Sequence, residues 1–134
     1  MGAPSIADRI ELERLIDQYG HAVHLKDAEL WGAVWADRTD CHWDLAGHLV
    51  DGKDNIVKLW IGAVQNFGWI WHVTPLKWFD VNGDTATGVC YLREEFTRAD
   101  GARGSLTARY HDTYVRTPAG WRVLSRRLEV LDRG

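Results

Sequence analysis

The sequence predicts an α+β protein in which three helices cover the concave face of a strongly curved, mainly antiparallel sheet. Two observations predict it. Up to about residue 66, apolar residues recur at helical spacing; after Gly68 the rhythm shortens to two, and four strand-length segments run to the C-terminus. The connectors between those segments are turn sequences, Asn82-Gly83-Asp84, Ala99-Asp100-Gly101 and Thr117-Pro118-Ala119-Gly120. A third observation bears on the interior: Trp 8 in 134 residues is several times chance expectation, so large aromatic rings either fill the core or wall an apolar cavity.

The first helix is expected over residues 6–23, with Ile6, Ile10, Ile16, Tyr19 and Val23 on one face and Leu12 and Leu15 alongside. Ser5 caps its start, and Asp8 three residues on completes an arrangement like a capping box. A second helix over 28–35 places Leu30, Trp31, Val34 and Trp35 on one side and forms a hairpin with the first. Residues 41–50, broken by Gly47, read as a bent strand or small hairpin. Asp51 then caps a third helix carrying Ile56, Leu59, Trp60 and Val64, which ends near Asn66 and Gly68. Strands over 69–79, 85–97, 105–116 and 121–131 form a meander, and a sheet that curls over helices can leave a cavity.

At 134 residues the chain is the size of one domain, expected over 1–134, and large enough to bury a core without disulfides or metals. Hydrophobic residues at 46% and charged residues at 26% disfavour both disorder and a membrane class. A net charge of −3, with Lys+Arg 16 dispersed among Asp+Glu 19, offers no basic stripe for nucleic acid. No leader-like segment and no membrane-span-length apolar run is present, so a cytoplasmic location is expected. Cys41 and Cys90 form no C-x-x-C pair and sit in apolar segments, where cysteine behaves as a small hydrophobe.

Several polar residues fall where apolar ones belong. In the third strand Leu106, Ala108, Tyr110, Asp112 and Tyr114 share one face, so Asp112 projects into an apolar layer and must be paired, hydrogen-bonded or held neutral. His72 shares the face of Ile70 and Thr74, opposite Trp69 and Trp71, and histidine suits proton transfer near neutral pH. Asp44 precedes a glycine turn, either at a pocket mouth or as an ordinary turn residue. Tyr19 and His24 lie toward the end of the first helix, Tyr19 on its buried face. His21 and His24 stand at i, i+3 without a recognisable third ligand, so no metal is expected. With no G-x-G-x-x-G, P-loop or G-x-S-x-G, any catalysis is expected to be cofactor-free acid–base chemistry.

The run Tyr110-His111-Asp112-Thr113-Tyr114-Val115-Arg116, followed by Gly120-Trp121-Arg122-Val123 and Arg126-Arg127, resembles the closing signature of SnoaL-like proteins. The opening segment over 15–35, the Gly52-x-x-x-Ile56 element, His72 with Thr74-Pro75, and Asn82-Gly83-Asp84-Thr85-Ala86 resemble the same family in the same order. The resemblance covers nearly the whole chain. It implies the cone-shaped barrel of the nuclear transport factor 2-like superfamily, shared with ketosteroid isomerase, scytalone dehydratase, polyketide cyclases, hexachlorocyclohexane dehydrochlorinase and limonene epoxide hydrolase. That superfamily also holds non-catalytic binders.

Two family patterns compete for the candidate residues. The isomerase-like pattern would make Tyr19 the oxyanion-hole tyrosine, Asp112 a neutral acid donating beside it, and Asp44 the general base. The dehydratase-like pattern would make His72 the catalytic histidine, with a partner acid at the end of the first helix. That position holds His24, with Asp27 three residues later, leaving Asp27, His24, Asp44 or Asp112 to orient His72. The combined expectation is a lyase or isomerase with His72 as base, Tyr19 as donor to substrate oxygen, and Asp44, Asp112 and His24 in support. Trp43, Trp60, Trp71, Tyr110 and Phe96 are the expected contacts to a small hydrophobic cyclic or aromatic substrate. A non-catalytic ligand- or partner-binding domain is the first alternative. An epoxide hydrolase is the second, needing an Asp–Arg–Asp arrangement for which Arg93, Arg109 and Arg126 are candidates. The resemblance also implies a homodimer or higher homo-oligomer through the outer face of the sheet.

Overall fold

The computed structural model describes residues 2–134. Its elements run α1 (Ile6–Leu25), α2 (Ala28–Gly32), β1 (His42–Leu45), β2 (His48–Asp51), α3 (Lys53–Val64), β3 (Phe67–Asn82), β4 (Thr85–Arg98), β5 (Arg103–Thr117) and β6 (Gly120–Arg133). The strands form one open, mixed sheet in the order β2-β1-β6-β5-β4-β3, the curved sheet of the cone fold. The four-strand meander is where the sequence predicts it. The small hairpin β1–β2 joins the same sheet, because β1 pairs in parallel with β6, Trp43 opposite Arg126.

The helices follow local chemistry with two departures. Ser5 Oγ accepts from the Asp8 N–H at 3.1 Å and opens α1, but the Asp8 carboxylate turns to Arg116 Nη1 at 3.0 Å and to the Trp121 indole at 3.0 Å. A capping box is therefore not completed. Ile6 and Ile10 are exposed, and the buried stripe is Leu12, Leu15, Ile16, Tyr19, Ala22 and Val23. The first turns thus present a different face from the one the isoleucines suggest. The cap of α3 is Gly52 at φ 83, while Asp51 stays in β2 and bonds His42 Nδ1 at 2.6 Å. A left-handed φ is open to glycine without the Cβ penalty, which explains why the cap shifts by one residue.

Bulges decide which side chains enter the cone. Between Val73 and Leu76 the register of β3 against β4 shifts at Pro75, which has no N–H to give the ladder. The inward face therefore passes from Ile70 and His72 to Phe79. A second shift, where Thr113 faces Ser125 but Tyr114 faces Val123, moves the inward face of β6 from Trp121 and Val123 to Arg126.

The core is an aromatic cluster. Trp31 stacks on Trp60 with centroids 4.7 Å apart and planes 7° apart, and Trp43 closes against Trp31 at 5.3 Å and Trp35 at 6.2 Å. Trp121 is buried nearby, whereas Trp69, Trp71 and Trp78 are on the outer face and exposed. Trp71, expected to contact substrate, therefore points away from the interior. Cys41 and Cys90 are free and buried, Cys41 bonding the Ala36 carbonyl at 3.1 Å. Among the described residues no helix is long and apolar enough to cross a membrane.

Candidate active site

A cavity of about 140 Å³ lies between the C-terminal half of α3 and the concave face of the sheet. Trp43, Trp60, Leu92 and Leu128 are among its apolar walls, and its polar lining is Tyr19, Tyr110 and Glu94. Larger depressions of about 570 and 1000 Å³ lie on the outer face of the sheet and beside the loop before α3. Both are open to solvent, and the histidines of the former are engaged elsewhere, His42 by Asp51 and His111 by Glu129. Catalysis needs convergent polar groups away from water, so the smaller cavity is the candidate.

Its histidine is placed by cross-strand pairing. His72 faces Glu94 directly across β3 and β4, and Nδ1 lies 2.7 Å from Glu94 Oε2. The ring packs 5.3 Å from the Tyr19 ring, and α1 approaches closely because residue 20 is glycine. A Cβ there would sit 3.0 Å from the His72 carbonyl oxygen. The second ring nitrogen, Nε2, is buried and has no partner among the described residues.

Two phenols converge beside this pair. Tyr19 and Tyr110 hydroxyls are 3.5 Å apart, and the Trp43 indole donates to Tyr110 at 3.3 Å. Burial pushes Tyr19 well above its ordinary value of 10.0, with Tyr110 adding to the rise and Arg126 opposing it. Burial likewise raises Tyr110 against the pull of Arg126. Both hydroxyls therefore stay protonated at neutral pH and are available as hydrogen-bond donors.

Behind the phenols is a second buried pair. Arg126 Nε and Nη2 reach the two oxygens of Asp112 at 2.8 and 3.0 Å, and Tyr114 donates its hydroxyl to the same carboxylate. The guanidinium lies over the Tyr110 ring at 3.9 Å and the Tyr19 ring at 4.6 Å. Burial works against its charge, but Asp112 and the surrounding groups outweigh it and hold the cation. Gly88, opposite Asp112, makes room for this layer, since a Cβ would come 2.9 Å from Phe79 and 3.0 Å from Tyr114.

These placements revise several expectations. Asp112 has both oxygens engaged as acceptors, so it is not a free donor beside Tyr19. Asp44 accepts from the Gly47 N–H at 2.8 Å and faces away from Trp43, because alternate strand residues point to opposite sides. His24 is exposed, 3.4 Å from the Ile70 carbonyl and edge-on to Trp71. Asp27 caps α2 through the Leu30 N–H. None of these four touches His72. Phe96 packs on Phe67 at 4.9 Å, one layer behind the cavity wall. Arg93 and Arg109 are on the outer face, bonded to Thr107 and Glu129, and Arg126 meets a single carboxylate. The Asp–Arg–Asp arrangement is therefore not formed among the described residues. Nor is any cluster of three potential metal ligands.

Glu94 is the residue that sequence reasoning missed. Its signal was present: it shares strand parity with Cys90, Leu92 and Phe96, an acid on an apolar face like Asp112.

Comparison with known proteins fits this architecture. An uncharacterised protein of Mycobacterium tuberculosis (strain H37Rv), Rv2910c, is 27% identical over 94% of this chain and 87% of its own. A Novosphingobium aromaticivorans structure provisionally assigned as an aromatic ring hydroxylase superposes with a TM-score of 0.90 at 22% identity, covering 98% of this chain and 95% of its own. A second from that organism, provisionally assigned as scytalone dehydratase, gives 0.88 at 19% identity over 96% and 87%. At such identities the structures establish the shared fold alone. The model of the SnoaL-like domain matches residues 4–127, nearly the whole length of the sheet and its helices, and on that match the chain belongs to the SnoaL-like domain family.

Proposed function

We propose that the protein is a cofactor-independent lyase or isomerase that moves a proton on a small, hydrophobic, cyclic or aromatic substrate. The observation that carries this reading is the His72–Glu94 contact at the wall of an apolar cavity that also presents two protonated phenols. Proton removal from carbon requires a base, a donor for the oxygen that departs or enolises, and exclusion of water. The His72–Glu94 couple supplies the base, Tyr19 and Tyr110 supply the donors, and Trp43, Trp60 and the leucines exclude water.

For a dehydration, the proton goes to the His72–Glu94 couple, the C–H electron pair becomes the new C=C bond, and the C–O bond breaks. The leaving oxygen takes a proton from Tyr19 and departs as water; proton return from the couple to the tyrosinate resets the site. A neighbour's name, scytalone dehydratase, describes a reaction of this class and supports the reading. Cavity size narrows the substrate: about 140 Å³ is close to the roughly 150 Å³ engineered cavity that holds benzene, so one six-membered ring fits.

The test is a turnover and binding screen of wild type and His72→Gln against cyclic ketones, hydroxylated aromatics and steroid-like alcohols. Wild-type turnover of a single-ring compound, with weakened turnover but retained binding in the variant, is the expected result. Equal binding to both with no reaction defeats the catalytic reading and leaves a ligand-binding domain. Self-association through the outer face, where Trp69, Trp71 and Trp78 are exposed, belongs to the same proposal and is checked by sedimentation.

A further inference from the structure

Within the His72–Glu94 pair the two side chains do not have equal access to the cavity. Glu94 is part of the cavity lining, and its side chain keeps 19% of its surface exposed. The His72 side chain keeps 2%, lies outside the lining, and has Nε2 enclosed without a partner. Only Oε2 of Glu94 is bonded to His72, so Oε1 has no side-chain partner among the described residues. The carboxylate also acts on the phenols from the cavity side, raising both Tyr19 and Tyr110.

We infer that Glu94, not His72, is the group that meets the substrate, and that His72 is a positioning residue that holds the Glu94 carboxylate through its Nδ1–H. This rests on the proton-transfer reading above. It assigns the base to the carboxylate: Glu94 Oε1 takes the proton from substrate carbon, the C–H electron pair passes into the new double bond, and the His72 Nδ1–H stays on its nitrogen throughout. The imidazole fixes the carboxylate rotamer and directs its free oxygen into the cavity, as the orienting partner of a catalytic group does.

Two probes separate the assignments, each used with the intact chain. The first is 4-nitrophenolate binding, followed by its absorbance at a pH where the free probe is anionic. A carboxylate facing the ligand repels the anion, so Glu94→Gln is expected to bind it at least tenfold more tightly, while His72→Asn, which keeps a donor near the Nδ1 position, changes affinity less than threefold. Unchanged or absent binding in Glu94→Gln, or a larger effect from His72→Asn, overturns the inference. The second is solvent deuterium exchange into the α-carbons of cyclohexanone, read by NMR. Glu94→Gln is expected to lose exchange by at least 100-fold, Glu94→Asp to restore part of it, and His72→Asn to retain more than His72→Gln. Exchange that survives Glu94→Gln but not His72→Asn returns the base to His72 and overturns the inference while the acid–base reading stands. Should wild type catalyse no exchange, the acid–base reading fails for such ketones, and the nitrophenolate result still decides whether Glu94 faces the ligand.

Discussion

Two pairs of ionisable residues face the interior of the same sheet as direct cross-strand neighbours, Asp112 with Arg126 on β5 and β6, and His72 with Glu94 on β3 and β4. The first is bidentate, capped by Tyr114, clamped between aromatic rings and sealed, with side-chain exposures of 0% and 1%. The second makes one hydrogen bond and opens to the cavity through Glu94; each pair leaves one buried nitrogen unpartnered, Arg126 Nη1 and His72 Nε2, so the difference is in the carboxylates. The same device serves two ends: where the hydrogen-bonding capacity of a buried carboxylate is used up, the pair fixes the sheet, and where an oxygen is left over beside a cavity, it is available for chemistry.

The largest expected effect sets the pairs apart by stability. Arg126→Ala leaves the Asp112 carboxylate buried without its counter-charge, held by Tyr114 only, and should cost about 3–5 kcal/mol, whereas Glu94→Gln, which keeps an acceptor for His72, should cost under about 1 kcal/mol in urea unfolding. Replacing both partners, Asp112→Leu with Arg126→Met, should recover most of the loss. Similar costs for Arg126→Ala and Glu94→Gln would erase the distinction. Activity should sort the other way: Tyr19→Phe is expected to lower proton-transfer rates by about 100-fold, the effect of removing one oxyanion donor, with little change in stability.

Acid titration sharpens the contrast with a third kind of pair, nearer the surface. Hydrogen bonds from Arg116 and Trp121 lower Asp8 from 3.8 to about 2, and those from Arg109 and His111 lower Glu129 from 4.5 to about 2. Depressed carboxylates stabilise the fold fully above their unfolded values and lose that contribution as pH falls through the folded ones. The unfolding midpoint should therefore drop between about pH 5 and 2, and Asp8→Asn should flatten the lower part of that slope. The smallest effect is on a thiol. Burial, followed by the Asp112 charge, pushes Cys90 up to about 12 against the pull of Arg126, so a thiol reagent at pH 8 should leave it unlabelled in wild type and reach it in Arg126→Ala only through the more frequent unfolding of that variant.

How much of this was legible follows from particular residues. Strand parity put Asp112 into an apolar face and His72 on the face of Ile70, opposite Trp71, and Asp112, His72 and Ile70 are all buried. Parity places Glu94 on the inner face by the same rule, after Cys90 and Leu92 on that face. The family resemblance pointed instead to a partner for the histidine at the end of α1. Parity failed for Arg126 because the bulge between Val123 and Ser125 reverses the inward face of β6, and a one-residue insertion in a ladder leaves no mark in amino-acid periodicity. Asp44 and Trp71 fell to the outer face for the converse reason: parity holds along β1 and along β3 from Trp69 to Val73, and their neighbours Trp43 and His72 take the inner face.

By itself the sequence determined the order and kind of the elements, the turns of the meander, and which residue types the interior would have to accommodate. Those properties are set by periodicity, by turn chemistry and by the cost of burying a polar group, all of which act over a few residues. The tertiary structure alone decided that β1 would add to β6, that Glu94 rather than an acid of α1 would meet His72, and that Arg126 would satisfy Asp112. Each of those choices joins residues well separated in the chain, and only the register and bulges of the assembled ladder bring one particular pair within 3 Å.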